Sequence, residues 1–575
     1  MVRAVTTFVQ LTSFSRAFPD SSILATNPAF INEQLGRSPP ATKLMATIGP
    51  ASEGEKVLGE LIEGGVTGFR VNMSHVLTRD DRLKALRWAY TVRRLARERE
   101  REVALIADLK GPEFRTRCGK GKKIPLEAGE GVILTTGQGG VSRKVNGRRV
   151  IHVAGPEGYD LLGDIRDHSE GAFQGAERPL VLIADGRIGI ELNSWDELFY
   201  RSRRIPGLLG TVRFPDLLED NKGINFPTLV LRLPGLVPED REVLRDIFSV
   251  DFAREAWGVF KDGKREARQL STLGFDFVAP SFVRSVDDLN KIVELLEEAG
   301  AGFLDHVKLI PKIETVEAVN PDVLQDLLSH PMTRGVMVAR GDLAAQVGFE
   351  AVPFCQNEIV RLAREHGCFS IVATDVLGSM TGGAQRAKRA ENGDLHGMIE
   401  HGAHCIMLSD ETTKGKDPAY ICRHAFGIFA SSWMEGALAT GLMRQAQRRE
   451  TLERLDREVS KGGFEYDIRE ARLYLRVVHE IATADQGNDV DGIVLWCERG
   501  RSLRWVSQVL PQKPVILVTH VPRVAREAAL TRGMFPILVN EKPGSENELK
   551  KIIESAVPVP QGRDLHLLLI HNLPD

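Results

Sequence analysis

The sequence is short of several things, and each shortage excludes a class of protein. It has six cysteines, at 118, 355, 368, 405, 422 and 497, with no CxxC pair and no metal-ligand spacing, so a reduced, intracellular chain without a disulfide scaffold or zinc site is expected. No apolar run approaches the roughly 20 residues that span a bilayer, which excludes a bundle of membrane helices. Excess charge of either sign is also missing. With 75 basic and 78 acidic residues the net charge is −3, which argues against a general nucleic-acid or membrane-surface binder. At 575 residues the chain is too long for one core, so two to four domains are expected.

What is present begins with the N-terminal 42 residues. The first 19 carry Arg3 and Arg16 and no acid, a composition compatible with an organelle transit peptide. Two arginines are few for that purpose. A plain extension over 1–42 on a cytoplasmic protein is the preferred reading, with SPPA at 38–41 as a hinge.

From Lys43 onward, short β-branched apolar runs alternate with amphipathic helical stretches. The runs are KLMATIG (43–49), GFRVNMS (68–74), EVALIADL (102–109), FDFVAPSF (275–282), VKLIPKIE (307–314), GVMVARGD (335–342), FSIVATDV (369–376) and CIMLSDET (405–412). Helical patterns such as 285–300 and 354–367 lie between them. Eight strands with crossover helices predict an α/β fold, a (β/α)8 barrel over 43–115 and 223–440. About 165 residues separate the third and fourth runs, far more than a loop needs. Within them, 116–222 is rich in glycine and short strand-like runs, and reads as an inserted β-barrel lid domain on the mouth side. A charged stretch (445–462) then leads into a C-terminal α/β domain over 441–575, where DGIVLWCE, KPVILVTH and FPILVNE resemble parallel strands.

Polar residues collect where these strands end: Arg70, Asn72 and Ser74; Asp108 and Lys110; Lys312 and Glu314; Arg340 and Asp342; Thr374 and Asp375. Barrel enzymes keep their chemistry at that mouth. Lys312 and Glu314 stand two residues apart on one strand and so share a face. Burying both charges requires either that they pair with each other or that a charged group arrives between them. Glu314 and Asp342, carboxylates at neighbouring strand ends, suit Mg²⁺ or Mn²⁺. Lys312 beside such an ion suits an enolate or a phosphoryl group in transfer. Arg70, Arg115 and Lys222 can meet phosphates, and Asn72, Ser74 and Asp108 form an oxygen-rich set for a monovalent cation. The residues alone reach a metal-dependent enzyme acting on an anionic, phosphorylated substrate.

The ordered stretches ATIGPAS (46–52), FRVNMSH (69–75), DLKGPEFRT (108–116), ADGRIGIEL (184–192), NKGINFP (221–227), DFVAPSFVRS (276–285), PKIET (311–315), MVARGDL (337–343), RAENGD (389–394) and CIMLSDETTKGKDP (405–418) resemble those of the pyruvate kinases. GRS at 500–502 and FPILV at 535–539 carry the likeness into the last domain. The resemblance implies transfer of the phosphoryl group of phosphoenolpyruvate to ADP, giving pyruvate and ATP, by a homotetramer. It implies that Lys312 stabilises the transferring group and that Glu314 and Asp342 hold Mg²⁺ or Mn²⁺. Thr374 belongs to proton delivery. Arg70 lies at the phosphate site, with Asn72, Ser74, Asp108 and the backbone of Leu109 at the K⁺ site. His75, Arg115, Asp185 and Lys222 meet nucleotide or phosphate, and the backbone at Arg340, Gly341 and Asp342 meets the substrate carboxylate. Glu113 is the position linked to K⁺ dependence, although Leu109 is more usual in K⁺-independent members.

The chain departs from the family pattern at Asp375, Ala344, Asp410 and Ala184, and residues 247–270 look inserted. In the last domain Cys497-Glu498-Arg499-Gly500-Arg501-Ser502 stands where members activated by fructose 1,6-bisphosphate carry a hydroxyl-rich loop. A catalytically weakened relative with a binding or regulatory role is the second reading, and another metal-enolate barrel enzyme, such as a pyruvate aldolase, the third.

Overall fold

The computed structural model describes residues 8–14, 42–119, 121–136, 144–168, 173, 178–184, 186–200, 203–227, 229, 231–257, 274–299, 306–439, 441–461, 468–484, 490–511, 513–556 and 565–571. All eight predicted runs form strands of one parallel sheet: Lys43–Thr47, Gly68–Asn72, Ala104–Asp108, Phe277–Ala279, the split pair Lys308–Leu309 and Lys312–Ile313, Gly335–Ala339, Phe369–Ala373 and Cys405–Leu408. The pairing order begins at Lys308–Leu309 and ends at Lys312–Ile313. These are two pieces of one strand, interrupted where Pro311 has no N–H to give to the ladder, so the sheet closes on itself.

Strands buried on both faces read as continuous apolar runs, because one face fills the barrel and the other meets the helices. Met45, Ile106, Phe277, Ile310, Met337, Ile371 and Met407 fill the interior, with Phe277 and Phe369 edge to face at 5.6 Å. The helices Val286–Ala299 and Val352–Glu365 lie where the 3.6-residue periodicity placed them.

The inserted segment leaves the barrel through Phe114–Arg117 and returns through Gly223–Asn225, which pair antiparallel. Between these two stems the strands Gly131–Thr136, Lys144–Val145, Arg148–Ala154, Leu180–Ile183, Ile188–Tyr200 and Arg203–Phe214 complete the sheet, and pairing of Phe114–Arg117 with Arg148–Ala154 closes it into a second, small barrel. Of the apparent insertion at 247–270, the helix Val250–Trp257 is described and 258–273 lie outside the described residues.

The C-terminal sheet has parallel strands Gly492–Trp496, Val515–Thr519, Met534–Leu538 and Leu565–His571. Its edge is Phe8–Phe14, antiparallel to Leu565–His571, so part of the stretch read as an N-terminal extension is built into the far end of the chain. The helix Pro522–Leu530 of this unit docks under the large barrel, at the strands' N-terminal ends. Leu530 joins the barrel's interior cluster, Arg526 Nη1 reaches Asp276 Oδ1 at 2.8 Å, and Lys43 Nζ donates to the carbonyl of Met534 at 2.6 Å. The opposite mouth is left to the lid. No helix among the described residues is long and apolar enough to cross a membrane.

Candidate active site

At the mouth, neighbouring strand ends bring together residues far apart in the chain. Asn72 and Asp108 are direct partners in register, and Arg70 Nε donates to Asp108 Oδ2 at 2.5 Å. From two strands along, Lys312 Nζ lies 3.2 Å from Asp108 Oδ1 and 2.8 Å from Glu314 Oε1, and donates to Ser281 Oγ at 2.8 Å. Lys312 and Glu314 therefore pair directly, within a four-charge cluster of Arg70, Asp108, Lys312 and Glu314. Direct pairing is one of the two alternatives the shared strand face left open; the further partners Asp108 and Ser281 reach Lys312 only when the barrel closes.

Burial and opposite neighbouring charge pull against each other at Asp108, Lys312 and Glu314. Burial acts to raise the Asp108 carboxyl, but the charges of Arg70 and Lys312 outweigh it and hold Asp108 below the usual carboxylate range. Burial acts to lower Lys312, yet Asp108 and Glu314 prevail and keep its ammonium protonated. Glu314, wholly buried, is pushed up to about 7 by burial and by the neighbouring charge of Asp342, against the pull of Lys312. Its Oε2 accepts the N–H of Phe282 at 2.7 Å.

That shift bears on the metal. A carboxylate whose ionisation a neighbouring carboxylate disfavours, as Asp342 does for Glu314, belongs to a donor set that a hard dication would relieve. Among the described residues no group of three or more His, Cys, Asp or Glu gathers as a metal cluster; Glu314 and Asp342 are a pair of carboxylates whose chemistry suits an open site completed by waters and substrate oxygens. The oxygens of Asn72, Ser74, Asp108 and Leu109, which the resemblance led us to expect around K⁺, lie at or just beyond the ends of the second and third strands. Asn72 Oδ1 accepts the Ser74 N–H at 3.1 Å and the Leu109 carbonyl accepts from Ser281 Oγ at 2.6 Å. Each of these oxygens keeps a second lone pair for a cation.

A cleft of about 360 Å³ opens beside this cluster, within the usual range for small-molecule sites. Arg115, Lys222 and Asn225 enter it from the lid stems, Asp342 and Gln346 from the helix Arg340–Val347, and Asp410 and Lys414 from the last strand's loop. Arg115 and Lys222 meet because the two stems are adjacent: the N–H of Thr116 donates to the Lys222 carbonyl at 2.9 Å. Glu113 binds Arg115 at 2.5 Å. His75 lies in the same positive field, and burial followed by the charges of Arg115, Arg70 and Lys414 lowers its pKa. Asp185 lies outside the described residues.

Thr374 sits on a distorted turn, with φ of +77° at Thr374 and +52° at Asp375. For a β-branched residue this is a sparsely populated region. Gly341 lies against it, and a Cβ there would stand 3.2 Å from Thr374 Cγ2, so the glycine permits close approach. The helix Arg340–Val347 starts at this point with no side-chain cap, which leaves its first N–H groups directed at the mouth. Sequence reasoning missed Ser281 and the Phe282 N–H as partners of the buried charges. Ser281 carried a signal, since it lies at the polar end of an apolar run. A backbone N–H carries none.

The chain matches the family model described as "Pyruvate kinase, barrel domain" over residues 40–253 and 260–421, and that described as "Pyruvate kinase, alpha/beta domain" over 476–563. It is similar to the pyruvate kinase of Staphylococcus saprophyticus (28% identity, covering 92% of this chain and 77% of the relative). It is also similar to those of Sporosarcina psychrophila (29%; 93% and 80%) and Bacillus licheniformis (29%; 90% and 75%).

Proposed function

The chain belongs to the pyruvate kinase family, and from that premise we propose that it transfers the phosphoryl group of phosphoenolpyruvate to ADP, giving pyruvate and ATP. The observation that carries this reading is the Lys312 ammonium, held at 2.8 Å from Glu314 and 3.2 Å from Asp108, beside a cleft that Phe282, Thr315 and Asp342 line. In the reaction the bond between phosphorus and the enol oxygen breaks, and a β-phosphate oxygen of ADP forms the new bond to phosphorus. The electron pair left on the enolate is quenched by a proton at the methylene carbon.

Each step needs a group this chain provides. Lys312 stabilises the charge on the phosphoryl oxygens and on the enolate. Arg70, Arg115, His75 and Lys222 orient the phosphates, and Asp185 belongs to the same nucleotide group. The N–H groups at Gly341 and Asp342 hold the substrate carboxylate, and the Thr374 side delivers the proton. Glu314 and Asp342 would hold Mg²⁺ or Mn²⁺, which when bound neutralises phosphoryl charge as a Lewis acid. Asn72, Ser74, Asp108 and the Leu109 carbonyl would hold K⁺. We place the enzyme in the cytoplasm as a homotetramer, without nucleic-acid or membrane partners.

The test is ADP-dependent pyruvate formation in Mg²⁺ and K⁺. Turnover at rates typical of enzymes supports the reading. Binding of phosphoenolpyruvate without turnover would favour a weakened, regulatory relative, the outcome to which Asp375 and Asp410 point.

A further inference from the structure

We propose that Glu411 is a positioning residue that holds Thr374 in its reactive placement. The two left-handed residues Thr374 and Asp375 are followed by Val376 and Leu377, both wholly buried. The N–H groups of Val376 and Leu377 donate to one carboxylate oxygen of Glu411, Oε1, at 3.1 and 2.9 Å. The other, Oε2, accepts the Ser409 N–H at 2.8 Å. Glu411 is 2% exposed, and its three donors come from the ends of two neighbouring strands.

The next residue anchors it. Thr412 Oγ1 accepts the Thr47 N–H and donates to the Thr47 carbonyl, each at 2.9 Å, which fixes this short helix to the first strand. From the other side Arg340 grips the carbonyls that precede the turn. Its Nη2 donates to the Thr374 carbonyl at 2.6 Å and its Nε to the Ala373 carbonyl at 3.2 Å, while Asp394 holds its Nη1 at 2.6 Å.

The turn is thus held at both ends by opposite charges, Arg340 on its carbonyls and Glu411 on its N–H groups. Backbone in a sparsely populated region persists only where its surroundings over-determine it. Without the carboxylate, Val376 and Leu377 would keep buried donors with no acceptor, and the turn would relax toward ordinary φ values. The Thr374 side chain would move with it. Glu411 touches no reacting atom in this account and acts through Thr374, so the inference rests on the proposed proton-delivery role of that residue.

The experiment compares E411A, E411Q, T374A and the double variant E411A/T374A. E411A is expected to lower kcat about 10²-fold, the order of loss that a displacement of about 1 Å brings, with KM for phosphoenolpyruvate within about twofold. E411Q keeps a carbonyl oxygen for the Val376 and Leu377 N–H groups, and should recover at least about tenfold of that loss. The double variant should be no slower than T374A alone, because both changes remove one function. Full kcat in E411A, or losses that multiply in the double variant, would overturn the proposal. If E411A does not fold, E411D, too short to reach both strand ends, takes its place. Amide hydrogen exchange at 376–377 needs no turnover. It should quicken at least about tenfold in E411A while 369–373 stays protected, and unchanged exchange overturns the proposal. An inert wild-type chain would sink the reaction reading, and exchange would still judge the clamp.

Discussion

Replacing Lys312 by Met tests the centre of the site, and the geometry sets the size of two separate effects. Lys312 is 11% exposed and lies 2.8 and 3.2 Å from carboxylates that are 0% and 1% exposed. At an effective dielectric constant near 20, each contact is worth about 5 kcal/mol of Coulomb energy before desolvation. Desolvation and repulsion from Arg70 cancel much of it, and breaking a buried pair leaves a net loss of about 3–5 kcal/mol. Glu314 limits the damage by taking up a proton, since its folded pKa of about 7 already lies above its ordinary 4.5.

For such a raised carboxyl the folded state binds more protons between pH 4.5 and 7, so stability falls as pH rises through that window. Without the ammonium the window extends above 7. In metal-free protein, K312M is therefore expected to lose about 3 kcal/mol at pH 7 and more at pH 8.5, while K312M/E314Q regains most of it. Turnover should fall about 10³-fold or more in both variants, because one preorganised charge at a developing anion is worth about 3–4 kcal/mol. Urea unfolding at the two pH values and coupled pyruvate formation provide the readouts. Stability equal to wild type, or activity within tenfold of it, would refute the reasoning.

K⁺ is expected to stimulate turnover, given Glu113 at the entrance and the oxygen set around Asp108; equal rates in K⁺ buffer and in buffer free of K⁺ and Na⁺ would contradict this. Fructose 1,6-bisphosphate is expected not to activate, because Glu498 stands in the C-terminal loop, held by the Trp496 indole N–H at 3.1 Å and by Lys542; a leftward shift of the phosphoenolpyruvate saturation curve would overturn that. Burial lowers Lys43 from 10.5 to about 7 beneath the barrel, so between those values the unfolded chain holds more protons and stability rises with pH. Lys43→Met should flatten that slope by up to about 1.4 kcal/mol per pH unit, and a slope unchanged in thermal or urea unfolding would count against the assignment.

Strand identity, and the shared face of Lys312 and Glu314, were legible in the sequence, because alternation along a strand is local geometry. The eight apolar runs, the break before the lid and the polar strand ends needed no knowledge of neighbours. Partners on neighbouring strands were not legible. Asp108 and Ser281 reach Lys312, Phe282 gives its N–H to Glu314, and Glu411 holds the turn after Thr374, only because a closed sheet sets separate strand ends side by side. Likewise Arg115 and Lys222 flank the cleft because the lid leaves and returns on adjacent strands. The sequence by itself determined which residues carry charge and which strand presents them. The tertiary structure alone decided which charges compensate each other, because buried charges take their energy from whatever lies within a few ångströms, and neighbours in space are set by how the chain closes.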